Sequence, residues 1–453
     1  MRYDDPDWQN RMRVRLDTNL AWADRVGPRG VSADALAPLT PVLAAAADAG
    51  LKPASTLAPA HPSPGDVTDF ARWAGRRYES LVVLADGALG EGMAALAAAL
   101  LHPHWNLLGR AARVGPRLFF VNTTDPEIVS GILDVLDPTT TLFVVVDAAG
   151  AAPGPLAAFL VFRRALMTVL NETYREHIAG LGGPTADVLR VLGRQEGFPV
   201  FDLPAAGATL LDPAPLLPLT AAGVDSGELL AGAAYARQIC ADAEPWRNPA
   251  LMAAALHWLA DREGPRSATV VAEAAALAPL GRWLSALAQR GDGGAGAEAP
   301  RAPSGDLVDI IAVAEYRRET PAPELRTRSA LPTPEARAAR DQVVAGLGYL
   351  GGALFSELRQ AEARARALIL AEAGRPSLTY RLPEIAPFTI GQLVALWEAR
   401  TAYLARFLGA AADGGGDAAL REAAAALANR PDLAERRRAL LAEESRARDD
   451  RII

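Results

Sequence analysis

Along the middle of the chain, short uninterrupted apolar runs alternate with longer stretches of helical periodicity. SLVVLAD (80–86) suits a strand buried on both faces, and EGMAALAAALL behind it suits a helix. RLFFVNTT (117–124) and TLFVVVDA (141–148) repeat the pattern, with DPEIVSGILDVL (125–136) between them as a helix capped by Asp125. A long helix through LAAFLVFRRALMTVL follows Gly150, and VFDLP (200–204) forms another short strand. A second set starts after a helix at about 223–242. It runs through helix NPALMAAALHWLADREG, strand SATVVAEAA (267–275), helix LAPLGRWLSALAQR and strand LVDIIAVAEY (307–316). One long helix over about 333–373, a strand at SLTYRLPEI and a helix at IGQLVALWEARTAYLARFL complete it. Residues 1–75 read as helical patches with a loop at PASTLAPAHPSPGD (53–66), and the tail from 417 as an Arg- and Glu-rich helix. GDGGAGAEAPRAPSGD (291–306) has the composition of a flexible linker. The β-α-β-α order calls for right-handed crossovers and mostly parallel sheets covered on both faces.

Composition narrows the function classes. The 453 residues suffice for two or three domains. No apolar run is expected to approach the ~20 residues that span a bilayer, and the acidic start MRYDDPDWQN lacks a secretory core. Cys240 is the sole cysteine, which excludes an intrachain disulfide and a cysteine-clustered metal site and fits the cytoplasm. A net charge of −7 opposes a nucleic-acid footprint. Lys52 is the sole lysine, and no histidine follows His257.

Several segments, in matching order, resemble the glucose-6-phosphate isomerase family, including the isomerase half of transaldolase–isomerase fusions. LLPLTAAGVDSGELLAGA (216–233) is similar to that family's LLP, G-I-D and L-x-G-A segment. GRPSLTYRLPEIAPFTIGQLVALWEARTAYL (374–404) resembles its G-R-P, strand and T-x-G-x-L…E…T-A pattern, and residues 117–146 its D-P…L-D-P…T-L-F block. ALGEGM (88–93) and GRWLSAL (281–287) are weaker anchors. The resemblance covers about 75–410. It implies an α/β fold of two sugar-isomerase (SIS) subdomains, each a mostly parallel sheet sandwiched by helices, with helical N- and C-terminal extensions. The corresponding division is 1–75, 76–222, 223–385 and 386–453. A dimer is implied too.

The positions that carry the family's chemistry are replaced. Aldose–ketose isomerisation needs a phosphate anchor, a base and stabilisation of an enediolate. Where the family has S-K-S-G-T-T, this chain has Asp147, Ala148, Ala149, Gly150, Ala151 and Ala152, so every hydroxyl is gone and an acid faces the phosphate. Where G-I-G-G-S admits sugar close to backbone, Val83, Leu84, Ala85, Asp86 and Gly87 stand. Gly207 takes the place of the family's enediolate-stabilising arginine, and Arg290 that of its general-base glutamate. The ring-opening histidine has no counterpart in 291–306, Lys52 excludes a catalytic lysine near the C-terminus, and AAADGGGDAAL (410–420) replaces F-D-Q-P-x-V-E. No catalytic residue, metal or cofactor is therefore assigned. The expectation is a pseudoenzyme, a scaffold or regulatory subunit forming a homodimer or a heteromer with an active carbohydrate enzyme. The alternatives are an active or repurposed sugar-phosphate isomerase, or a sensor of a sugar derivative.

Other candidates read as structural. His102 and His104 have metal-pair spacing but no third ligand nearby. His257 beside Trp258 lies on an apolar helix, and Cys240 lacks a histidine partner. Asp86 and Asp147, each ending a strand, suit either a cation or amine ligand or the capping of helices.

Overall fold

The computed structural model describes residues 1–444, except 40, 42, 44–63, 86, 149–152, 205–208, 261–268, 292–306, 325–332 and 408–421. Lys52, His61, the linker 292–306 and the segment 410–420 thus lie outside the described residues. Five parallel strands form the first sheet: β2 (Ser80–Leu84), β3 (Arg117–Val121), β4 (Thr141–Asp147), β5 (Ile178–Gly182) and β6 (Val200–Asp202), in the order β3-β2-β4-β5-β6. The pleat explains the unbroken apolar runs. Leu81, Val83, Leu142, Val144 and Val146 point into one core, while Val82, Leu84, Phe143 and Val145 point into another on the opposite face. Helices α1 (Pro64–Arg77) and α2 (Gly87–Leu100) cover the first face. Helices α3 (Pro126–Val135), α4 (Pro153–Leu170) and α5 (Asp187–Glu196) cover the second. Asp125 caps α3 as expected, its carboxylate accepting from Glu127 N at 2.9 Å.

In the second sheet, strands β7 (Thr269–Ala272), β8 (Val308–Glu315) and β9 (Ser377–Glu384) are parallel, and β1 (Arg15–Asp17) adds an antiparallel edge. Their order is β1-β9-β8-β7. Around them lie α6 (Ser226–Ile239), α7 (Pro249–Ala260), α8 (Ala278–Gly291), α9 (Pro334–Leu347), α10 (Phe355–Glu372) and α11 (Pro387–Phe407). One continuous core joins Leu81 and Val83 of the first sheet to Ile311 and Tyr380 of the second.

Four expectations differ from the structure. The N-terminal stretch is not wholly helical, because β1 pairs with β9 and the Gln392 side chain tethers it, donating to Met12 O at 2.8 Å and accepting from Val14 N at 3.0 Å. IAGLG, to which the sequence pattern gives no element, is β5; a Cβ on Gly180 would press on Val200 and Leu189, so small residues let neighbours close in. The long helix at 333–373 is two helices, broken near Gly351 and Gly352, the latter at φ +80°. Finally, Pro153–His177 is long and apolar enough to cross a membrane by length and composition, with 28% of its most apolar window buried.

Packing is very close where α6 crosses α11. A Cβ built on Gly232 would fall on the Phe388 carbonyl oxygen, and one on Gly391 would fall on the Leu229 carbonyl oxygen. Glycine on both helices brings backbone against backbone. Below the crossing, Asp309 of β8 is fully buried between Arg400 of α11, 2.9 Å away, and His257 of α7, at 3.1 Å. Burial works to raise the Asp309 pKa, but Arg400 and then His257 outweigh it and hold the carboxyl below its usual range.

This packing makes two predictions. Gly391→Ala is expected to cost more than the ~1–3 kcal/mol typical of overpacking, because backbone rather than a rotatable side chain must move. Gly131→Ala on α3, where nothing stands within 4 Å of the new Cβ, is expected to be neutral or slightly stabilising. Urea unfolding of both variants checks this, and equal stabilities would refute the crossing's role. The second concerns Glu398 of α11. Burial, opposed by Arg237 at 3.6 Å and reinforced by Asp212, raises its pKa from 4.5 to about 7. The folded state then keeps a proton that the unfolded chain has released, so this group's stabilisation is full below 4.5 and is lost as pH rises through about 7. Glu398→Gln should flatten that decline in a pH series of unfolding curves; an unchanged slope would contradict the assignment.

Candidate functional site

In an open parallel sheet, ligands bind outside the carboxyl ends of the strands where the chain's winding reverses. With the order β3-β2-β4-β5-β6, and α2 on the opposite face from α3 and α4, that point lies between β2 and β4. The fold therefore brings the described residues of two segments read as a degenerate sugar-phosphate site, Ala85 and Gly87 of one and Asp147 of the other, to one edge. Of these, Ala85, Gly87 and Asp147 are described; Asp86, Ala149, Gly150, Ala151 and Ala152 lie outside the described residues, as does Gly207. The backbone of Arg290 is in the last turn of α8, and its side chain is outside the described residues.

The crevice is built tightly. Ala85 is buried, and its N–H donates to Val121 O at 3.1 Å, which binds the end of β2 to β3. Gly87 starts α2 at φ +57°, a backbone shape that glycine adopts without strain and that turns the chain sharply from strand to helix. Asp147 has no exposed surface, and its carbonyl accepts from Gly183 N at 2.8 Å. A Cβ on Gly183 would fall on the Ala148 carbonyl oxygen, so the ends of β4 and β5 abut. Beyond them, Arg190 of α5 donates to the Gly182 carbonyl at 2.8 Å and to Asp202 at 2.6 Å, latching β5 to β6. On the α2 side, the Trp283 indole donates to Ala88 O at 2.7 Å and, with Leu210, packs over Gly92. Trp283 comes from α8, so the second subdomain reaches across to cover the first turns of α2.

The second sheet treats its own carboxyl edge in the same manner. Glu273, just past β7, is buried and is gripped by Arg366 at 2.7 Å and Arg359 at 3.4 Å, both from α10. Neither this clamp nor the Arg190 latch was marked by spacing or motif, since the partners lie on different elements. Two surface cavities occur among those the structure presents. One, of about 290 Å³, lies against α2, His102–Leu107 and β3; the other, of about 230 Å³, is lined by Tyr316, Arg318, Glu319, Thr320, Phe355, Ser356 and Arg359. Neither touches Ala85, Gly87 or Asp147.

The four described histidines sit at the other end of the strands. α2 runs back to the amino edge, and His102 and His104 follow it beside the start of β3. His102 Nδ1 accepts from His104 N at 3.0 Å, and no cluster of three metal-ligating side chains exists among the described residues. His177, just before β5, is buried against Thr141 O at 2.8 Å. His257 contacts Asp309, the second residue of β8. Cys240 has no exposed surface, and burial pushes its thiol up to about 12. It should resist a thiol reagent in the native protein and react only on unfolding; rapid native labelling would contradict its burial.

No family model matches the chain. Individual relatives do. It is 29% identical over 363 residues to the glucose-6-phosphate isomerase of Carboxydothermus hydrogenoformans, covering 76% of this chain and 77% of that protein. It is 30% identical over 339 residues to the same-named protein of Rubrobacter xylanophilus, covering 70% and 74%. In three dimensions it is similar to a hypothetical protein of Thermus thermophilus, with a TM-score of 0.70, 24% identity and coverage of 88% of this chain and 95% of that one. It also resembles a glucose-6-phosphate isomerase of Chlamydia trachomatis, with a TM-score of 0.61, 17% identity and coverage of 84% and 76%. The structural likenesses support the two-sheet architecture. The sequence match, at 30% identity across nearly three quarters of a relative, makes this chain a member of the glucose-6-phosphate isomerase family.

Proposed function

We propose that this family member no longer isomerises sugar phosphates and serves as a non-catalytic binding subunit in carbohydrate metabolism, in the cytoplasm. The observation that carries this reading is the placement of its proton-transfer groups. His102, His104 and His177 lie at the amino edge of the first sheet, the opposite end from the carboxyl ends of β2 and β4, and His257 contacts Asp309, the second residue of β8. Three carboxylates at the carboxyl edges are buried or held by arginine: Asp147 is fully covered, Asp202 is bound by Arg190, and Glu273 by Arg359 and Arg366. A base must come within hydrogen-bond reach of the proton that it removes. Replacement of the hydroxyl-rich turn by Asp147 and alanines also removes the anion cradle. On this reading the scaffold persists because its packing is independent of the edge chemistry, and the chain acts through itself or through an active carbohydrate enzyme.

A second reading is favoured by the relatives, which bear the name of an enzyme over most of this chain's length. Under it, a sugar-phosphate isomerase works with a rearranged constellation around Asp86, Asp147 and Arg290. A third is a sensor that binds a sugar derivative without turnover. One experiment separates the three: a coupled assay of fructose 6-phosphate conversion to glucose 6-phosphate on purified protein, with calorimetric titration of the same sugar. The expected result is neither turnover nor heat. Heat without turnover would mean a sensor. Turnover that survives repurification and falls on Asp147→Ala would falsify the non-catalytic reading.

A further inference from the structure

The cavity of about 290 Å³ beside α2 lies at a free edge of the first sheet, where β3 is the outermost strand. β3 bonds to β2 through alternate residues: Arg117 N donates to Glu79 O at 2.9 Å, and Val121 O accepts from Ala85 N at 3.1 Å. Leu118 and Phe120 therefore turn their backbone N–H and C=O outward. Leu118 is already matched. The Asn106 side chain accepts from its N–H at 2.9 Å and donates to its C=O at 2.7 Å, so a single amide stands where a further strand would. Trp105 is fixed next to it, its indole donating to Pro116 O at 2.8 Å. Phe120 presents the same outward donor and acceptor, and no loop or side-chain group among the described residues answers them. Phe120 and Trp105 line the cavity, with Ala94 and Ala98 on the α2 side. The rings of His102 and His104 line it too, their centroids 6.0 Å apart. Loss of solvent, then the positive charges of Arg318, His104 and Arg317, push the His102 pKa down, which places both guanidinium groups near this end of α2. Arg317 is spent on the carbonyls of Ala99 and Leu100, whereas Arg318 is exposed and unpaired among the described residues.

We propose that this cavity binds a planar heterocycle of the nucleobase type that carries an anionic group, a nucleoside monophosphate being the simplest example. The edge of a base sets a donor beside an acceptor in one plane, as the Asn106 amide does, and so matches the N–H and C=O of Phe120. Trp105 and Phe120 supply aromatic surface for the ring to pack on, and the alanines of α2 leave room for a flat group. His104 and Arg318 supply charge for the phosphate. An extended peptide fits less well. It needs a run of open strand positions, and β3 offers only Phe120 between the Asn106 amide and its last residue, Val121. The volume, just under the ~300–1,000 Å³ of ordinary ligand pockets, also suits one compact ligand. The site is separate from the crevice between β2 and β4, and the proposal holds whether or not the chain isomerises sugar phosphates.

Calorimetric titration of the full chain with the ribonucleoside monophosphates of adenine, guanine, cytosine and uracil, paired with hydrogen exchange, tests it. At least one nucleotide is expected to bind and to slow exchange of the Phe120 amide while leaving that of Leu118 as it was. Methylating the donor nitrogen on the edge of that base should weaken binding about tenfold or more, because one bond of the pair is blocked. Ala98→Phe fills the cavity from an exposed position on α2 and should weaken binding by a similar factor, with the thermal transition unmoved. Arg318→Ala should remove the preference for the nucleotide over its nucleoside. Should Ala98→Phe disturb folding, the methylated base decides the matter on the wild-type protein. Absence of heat with every nucleotide overturns the proposal. So does binding that leaves the Phe120 amide unprotected and ignores the methyl group, which places the ligand elsewhere, and so does inorganic phosphate binding as tightly as the nucleotide. None of these measurements uses fructose 6-phosphate, so their outcome is separate from that of the isomerase assay.

Discussion

The crossing of α6 and α11 is the contact around which the helices of the second sheet are arranged. Gly232 and Gly391 let each helix lay its backbone on a carbonyl of the other, and no side chain is available there to give way. The close approach then aligns what flanks it. Thr389 bonds the carbonyls of Glu384 and Ala386 at the start of α11, Asp225 caps α6 through Glu228 N, and Gln392 reaches out to hold the segment before β1. Those residues belong to the G-V-D…L-A-G-A and T-x-G-x-L segments that carry the family resemblance. The motifs most recognisable in this chain are therefore packing motifs.

Around that crossing the interior tolerates charge only where it is answered. Asp309 survives full burial because Arg400 and His257 approach it from two different helices. Leaving either ion alone there would carry a desolvation cost of several kcal/mol. The same logic governs the strand ends, where Arg190 and Asp202, and Glu273 with Arg359 and Arg366, neutralise each other. In a parallel sheet these ends are where a ligand would ordinarily find unsatisfied groups. Here they are largely satisfied from within, and the Trp283 indole covers the opening turns of α2. Polar groups at these strand ends bond to one another.

On the non-catalytic reading proposed above, this division lets a chain keep an isomerase architecture while its carboxyl edge departs from the chemistry. Fold and site draw on different residues. The core that joins both sheets is made of alternating strand positions and helix faces.

From the amino acids alone, the alternation of buried strands and helices was plain, because residues facing two cores must be apolar at every position. The cap at Asp125, the burial of Cys240 and the structural character of His257 were legible for similar local reasons. Elements lacking a periodic signal were not visible: β1 is three residues of an edge, and β5 is rich in glycine because its neighbours press close. The break between α9 and α10 needed the backbone at Gly352. Tertiary structure alone decided that Ala85 and Asp147 share one crevice, that the histidines sit at the opposite edge, and that Glu273 is clamped by two arginines nearly a hundred residues away. Each of those facts depends on which elements lie side by side. Sequence spacing records distance along the chain, whereas charge, burial and reach act through space.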